Sequence, residues 1–439
     1  MATLKLSSTN KEFSFVIMKN PESGMLAKNI RNGTAFGWYP PGNDQCYCVA
    51  FFDGMDEMSF AKGGQNESFS YIDSTKYNSP LFIAAAIREF FHSALSNKEE
   101  DKDELGFHNE LVISSVEIHR IELFEKLASC FEGFEIKVEE LPHTVVEGVE
   151  YNNFTLTIST ELPIWKLLNL GYLLSYMIAI SSHINFIVEK AMLSRLIEAA
   201  IVLEAPYYVR HLIRCWCIKS IEEFKRVKED LDFHERDKFD ISPDINSLVR
   251  LNWIKSQIQM DTDIVDYGCG EGNFFSISKS ISNSTYYAID RDEETREAAT
   301  RRMERKEYDN IIILDSLDAF ISAETDKDFV VIMSEMFEHN ELDSITKDLK
   351  KLLDNPHCTR IILTTPNKDF NKYYLLDEGE LRIEDHVFEM TKSEAEYYFT
   401  ELVEDIEFSV KITDLGDKVN DIPTIIGVIL KRTTTKEDK

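Results

Sequence analysis

The stretch from Asp263 to Gly272, DIVDYGCGEG, constrains the fold of this chain more than any other. DIVDY reads as a short strand, and glycines at 268, 270 and 272 follow at once, opening into the helix-like FFSISKSI. Glycines at alternate positions let the backbone turn tightly and let a ligand approach the peptide groups, with helix N-terminal amides close by. A strand feeding such a loop belongs to an open α/β sheet, which binds ligands beyond the carboxyl ends of its strands.

The strands expected downstream repeat this design. Ser284 to Ile289 ends in Asp290, eighteen residues beyond Gly272, where an acidic side chain can accept both hydroxyls of a ribose. Ile311 to Leu314 ends in Asp315 and Ser316, and Asp328 to Met333 runs straight into SEMFEH, Ser334 to His339. Arg360 to Thr364 is followed by Thr365-Pro366-Asn367. Alternation of strands with helical patterns predicts a mostly parallel sheet. The G-x-x-separated spacing of nicotinamide-binding loops, G-x-G-x-x-G, is absent.

SEMFEH carries its own chemistry. Glu335, Glu338 and His339 stand at i, i+3 and i+4, so on a helical turn they would share one face and converge on a point. Two carboxylates and an imidazole make a hard oxygen and nitrogen site, suited to Mg²⁺, Mn²⁺ or Fe²⁺ rather than to a thiolate zinc site. A fourth ligand is missing from the local pattern. His386 is the obvious candidate, and only the fold can bring it there.

Ahead of this region the pattern changes. A length of 439 residues predicts two or three domains. Glu12 to Met18, Cys46 to Phe52, Phe134 to Val138 and Phe154 to Ile158 read as strands, and Leu81 to Leu95 as a helix before the charge run SNKEEDKDE. These define an N-terminal α+β module over residues 1–160. Helical spacing dominates residues 161–241, and Pro243 among polar residues marks a linker before residues 242–439.

Leu167 to Ser181 is the most apolar window, but it falls short of the roughly 20 residues a bilayer demands, so a buried helix is expected. Seven scattered cysteines, with C-x-C only at Cys46/Cys48 and Cys215/Cys217, read as reduced, packed thiols of a cytoplasmic protein. The N-terminus lacks the pattern of a signal peptide.

The net charge is −30, with 24 basic against 35 acidic residues up to Phe239 and 24 against 43 after it. Both halves repel a polyanion, so a nucleic-acid ligand would need a metal, a partner, or a local cluster of cations. Candidates for such a cluster are Arg301, Arg302, Arg305 and Lys306 on one predicted helix, with Lys368 and Lys372 beside Thr365-Pro366-Asn367.

The D-x-G-x-G-x-G pattern with an acid after the next strand resembles class I S-adenosylmethionine-dependent methyltransferases, a Rossmann-like fold. That resemblance implies that Asp266, Gly268, Gly270 and Gly272 hold the methionine end of the cofactor, Asp290 its ribose, and Asp315 with Ser316 its adenine side, with Ser334 also in the cofactor site. E-x-x-E-H at Glu335 to His339, T-P-N-x-x-x-N at Thr365 to Asn371 and R-x-x-D-H-x-F-E-x-T at Arg382 to Thr391 look like the RNA 3′-terminal ribose 2′-O-methyltransferases of the Hua-enhancer type. By this resemblance Glu335, Glu338, His339 and His386 bind one Mg²⁺ or Mn²⁺ and form the catalytic set, and Asn367, Asn371 and Arg382 contact RNA.

YIDSTKYNSP, Tyr71 to Pro80, is similar to a segment of the bacterial branch, whereas the stretch around Ser182 to Phe186 departs from it. The bacterial branch implies RNA repair beside a polynucleotide kinase-phosphatase with a ligase module, which the N-terminal half would dock and activate. Two other readings stay open: a methyltransferase acting on a small molecule or protein, and a non-enzymatic scaffold subunit.

Overall fold

The computed structural model describes residues 3–30, 33–52, 79–96, 106–142, 144–146, 149–181, 190–218, 225, 246–258, 262–280, 284–323 and 326–433. Tyr71 to Asn78, the charge run after Ser96, Ser182 to Phe186 and the stretch around Pro243 lie outside the described residues. The chain divides into two compact units, Met1–Ile241 and Ser242–Lys439.

The first unit is built on a seven-stranded sheet, antiparallel at every pairing. Its central strands alternate buried and partly exposed residues, as in Gly33–Trp38, which is the signature of one covered face. Helices Pro80–Ser96 and Ile164–Ser181 pack together over that sheet. Ile164–Ser181 is long and apolar enough to cross a membrane by length alone, yet almost every side chain in it is buried within the unit. It is a core helix, apolar all round because it is covered all round.

One expected strand is a helical turn instead. Phe13–Val16 is α-helical, and Phe13, Val16 and Ile17 are buried while Phe15 is 60% exposed. The side chain of Asn10 accepts a hydrogen bond from the Glu12 amide at 2.9 Å and starts the turn. Three apolar residues at helical spacing then outweigh the β propensity of the run. The C-x-C cysteines are all free thiols, Cys46 and Cys217 buried.

The second unit carries the site. Numbered within it, its strands are β1 Asp263–Tyr267, β2 Tyr286–Ile289, β3 Ile311–Leu314, β4 Phe329–Ser334, β5 Cys358–Pro366, β6 Phe408–Val419 and β7 Ile422–Arg432. They lie in the order β3-β2-β1-β4-β5-β7-β6. The first five are parallel, and β7 inserts antiparallel between β5 and β6. This is a Rossmann-like class I methyltransferase sheet. β6 and β7 form a hairpin, unforeseen in the sequence, whose two-residue turn places Asn420 and Asp421 at φ 49° and 63°. Turns of that type match the twist of the strands they join.

β1 and β4 are buried on both faces, as parallel strands covered by helices must be. Val265, Val331 and Leu363 point into one core, and Ile264, Val330, Ile332 and Ile362 into the other. The strand order reverses between β1 and β4, so their carboxyl ends open a crevice between them.

Candidate functional site

The glycine loop forms the floor of that crevice. Gly268, Gly270 and Gly272 take φ of +81°, +53° and +80°, a region that side-chain-bearing residues enter only with strain. A Cβ on Gly268 would stand 2.4 Å from Cγ of Met336, so the loop needs glycine there for space as well as for conformation. Nothing lies within 4 Å of a Cβ built on Gly270, which faces the cavity.

A cavity of about 740 Å³ runs along the ends of the strands. Gly268, Gly270, Asp290, Asp315 and Ser316 line one part, and Glu335, His339 and Asp385 line another. Asp290 is held in place by two backbone amides: Gly270 donates to Oδ2 at 2.9 Å and Asp292 to Oδ1 at 3.0 Å. Ser316 caps the helix Leu317–Ser322 and donates to Asp315 Oδ1 at 2.9 Å.

Three expected cofactor residues stand behind the cavity rather than in its wall. Gly272 packs against Phe275, and Ser334 shares a 3.1 Å hydrogen bond with Thr364. Asp266 is 1% exposed and accepts a 2.7 Å hydrogen bond from the Tyr286 hydroxyl. Burial pushes its carboxyl up to about 7, with Asp290 adding to the rise and the Tyr286 hydrogen bond opposing it.

SEMFEH is not one helical turn. Ser334 ends β4, Glu335 takes φ +52°, and only Phe337–His339 is helical, as a single 3₁₀ turn. The left-handed step at Glu335 turns the chain from strand to helix at a cost of about 1–2 kcal/mol. Its result is that Glu338 and His339 enter the crevice together.

His386 joins them. Ligand atoms of Glu338, His339 and His386 all lie within 4.8 Å of one another. The amide of Val387 donates to the carbonyl of Glu338 at 2.8 Å, tying the two segments together beside the cluster. Each imidazole is oriented through Nδ1, which leaves Nε2 for a ligand: His339 Nδ1 lies 3.1 Å from the Asp385 carbonyl, and His386 Nδ1 lies 2.5 Å from Glu389 Oε1. A general-base role for either ring therefore competes with ligation at the same nitrogen.

Glu335 stands apart from this trio. Its Oε2 is paired with Arg250 at 2.8 Å, and its Oε1 is buried without a hydrogen-bond partner. Glu338 is fully buried, accepts from Thr365 at 3.0 Å through Oε2, and leaves Oε1 equally unpartnered. Its carboxyl is pushed up to about 8, first by burial and then by the carboxylate of Glu335. The orphaned oxygen of Glu338 and two oriented imidazoles suit a hard divalent cation, and the orphaned oxygen of Glu335 lies outside that trio. The residues present fit such an ion.

The expected RNA contacts turn inward. Asn367 is fully buried and donates to the Pro423 carbonyl at 2.9 Å. Arg382 donates to the Asn367 and Thr424 carbonyls and to Asn371, and stacks over Tyr374. Asn371 in turn donates to Glu389, the carboxylate that holds His386. These side chains build a buried network behind the site, because a buried carboxylate requires donors on every open lone pair. Of the cation candidates, Arg301 pairs with Glu297 at the surface and Arg302 donates to the Asn273 side chain. Arg250 and Glu389 were given no role by sequence reasoning.

A family model described as the Hen1 N-terminal domain matches residues 3–236. The chain is also similar to a solved chain in the structure of the Pnkp1/Rnl/Hen1 RNA repair complex, at 21% identity and a TM-score of 0.77, covering 98% of this chain and 100% of the other. A chain of a second structure, the Pnkp1/Rnl/Hen1 complex, matches with a TM-score of 0.75, 21% identity and the same coverage. At this identity the likeness establishes the fold. No curated protein sequence matches the chain.

Proposed function

Because the chain belongs to the Hen1 N-terminal domain family, we propose that it transfers a methyl group from S-adenosylmethionine to the 2′-hydroxyl of the 3′-terminal ribose of RNA, with one bound divalent cation. The observation that carries this reading is the shared cavity: the wall that suits a nucleoside cofactor is continuous with Glu335 and His339 at the edge of the cation cluster.

Asp290 accepts the cofactor's ribose hydroxyls, since its two anchored oxygens each keep a free lone pair. The backbone at Gly268 and Gly270 takes the methionine end, and Asp315 with Ser316 the adenine side. Glu338, His339 and His386, with Glu335, would hold Mg²⁺ or Mn²⁺. Such a cation, when bound, acidifies and orients a coordinating hydroxyl. The protein's own part is positioning: the 0% exposure of Glu338 and the network behind His386 fix the donors, and one crevice would hold cofactor and nucleophile side by side. A terminal 2′,3′-diol would offer two adjacent hydroxyls there, whereas a 3′-phosphate replaces one of them with a bulky dianion.

The fold match to a repair-complex subunit supports a place in RNA repair beside a polynucleotide kinase-phosphatase with a ligase module, and we assign that work to the cytoplasm. We assign its docking and activation to residues 1–160 and 161–241, which share the first unit. The deciding experiment is transfer of labelled methyl to RNA ending in a 2′,3′-diol, with Mn²⁺ or Mg²⁺, against RNA with a 2′-deoxy end. Transfer to the diol alone is expected. Equal transfer to both, or activity that survives chelation, overturns the reading.

A further inference from the structure

Arg250 stands at an unusual point of the site. It lies on the helix Asn246–Gln257 and reaches Oε2 of Glu335 with a 2.8 Å ion pair. Its Nε is buried without a hydrogen-bond partner, as are Oε1 of Glu335 and Oε1 of Glu338. Three unsatisfied polar atoms thus belong to three charged side chains that act on one another, two anionic and one cationic. Leaving such atoms bare is costly, and their coincidence marks a place that is completed by something else.

The charges say what completes it. A divalent ion takes these carboxylates in their ionised form, displacing the proton that burial favours on Glu338; in that form Glu335, Glu338 and Arg250 sum to −1, and the ion reverses the sum to +1. The guanidinium and the divalent ion then compete for the same carboxylate, Glu335. A guanidinium that loses this carboxylate in a half-buried position needs a new anion, and a planar fork of N–H donors suits a phosphodiester.

We propose that Arg250 is a placeholder cation: it holds Glu335 until a divalent ion takes that carboxylate, and then receives the phosphodiester that precedes the terminal ribose. The inference rests on the function proposed above, and it deepens that reading by making cation binding the switch for RNA binding. It also answers how a chain of net charge −30 accepts an RNA end. These three side chains become net positive only when the ion is bound.

The test uses the full chain and Mn²⁺ as probe, with affinity read from the loss of the free-ion spin resonance signal. Arg250→Gln should bind Mn²⁺ roughly fivefold more tightly than the unaltered protein, the size expected for removing a partly exposed competitor. A labelled RNA oligonucleotide, followed by anisotropy without cofactor, should bind the unaltered protein several-fold better with Mn²⁺ than without it, a gain that Arg250→Gln abolishes and Arg250→Lys partly retains. Unchanged or weaker Mn²⁺ binding by Arg250→Gln, or a persisting gain in RNA affinity, overturns the proposal. If Arg250→Gln melts early, Arg250→Met, which keeps much of the side chain's length without its charge, supplies the check: it too should bind Mn²⁺ several-fold more tightly, and unchanged or weaker binding refutes direct competition. Unaltered protein that binds no Mn²⁺ sinks the metal-dependent function itself, a different outcome from intact binding that Arg250→Gln fails to tighten.

Discussion

Glu389 Oε1 lies 2.5 Å from His386 Nδ1, and both side chains are almost wholly buried. The same carboxylate accepts from the Arg382 amide at 2.8 Å and from the Asn371 side chain. A residue outside the cation cluster therefore sets the tautomer and direction of a residue inside it. Glu389→Gln keeps the shape and removes the anion, and should lower Mn²⁺ affinity about 10–100-fold. Isothermal titration of the two proteins decides this, and a change below twofold would refute the positioning role.

The two buried carboxyls predict opposite consequences for function and stability. Glu338→Gln should abolish metal binding and methyl transfer, yet leave the melting temperature unchanged or raised, because it removes a carboxyl whose ionisation burial opposes. Loss of fold in this variant, seen by circular dichroism, would show that the side chain is structural first.

Asp266 gives a pH signature. Its folded pKa of about 7 lies above the ordinary aspartate value of 3.8, so the folded state binds the extra proton between those limits. The stability it contributes is complete below the lower value and is lost as pH rises through the higher one, by up to roughly 4 kcal/mol. Asp266→Asn, which keeps an acceptor for Tyr286, should match the unaltered protein near pH 4 and melt at a higher temperature at pH 8. Parallel melting curves for the cofactor-free proteins at every pH would contradict this.

The glycine loop separates space from conformation. Gly268→Ala meets Met336 at 2.4 Å on top of its positive φ, whereas Gly270→Ala meets nothing. Urea denaturation should show Gly270→Ala costing about 1–2 kcal/mol and Gly268→Ala clearly more. Equal costs would mean that Met336 yields freely.

The sequence is legible where spacing dictates geometry. Each parallel strand expected in the second unit is present, and polar residues stand at its carboxyl end, because burial on both faces demands an apolar run and the crevice demands the opposite. Longer-range facts were hidden. Arg250 looks like any charge on a helix until β4 delivers Glu335 to it. Asn371 and Arg382 carry the same residue types whether they meet RNA or a buried carboxylate, and only Glu389 decides between them. The β6/β7 hairpin turns on Asn420-Asp421, a pair with weaker turn preference than Asn-Gly. EFSFVIM fits either period over so few residues, and the turn that Asn10 makes with the Glu12 amide leads it into the helix.

The hydrogen bond from the Val387 amide to the Glu338 carbonyl is made by main chain alone. Of the single substitutions at position 387, only proline takes away its donor. Cluster and frame are thus separable in this domain: a descendant could lose the side chains of Glu338, His339 and His386 by substitution and still present two juxtaposed loops of the same shape. Such a chain would keep the frame and lose the cluster.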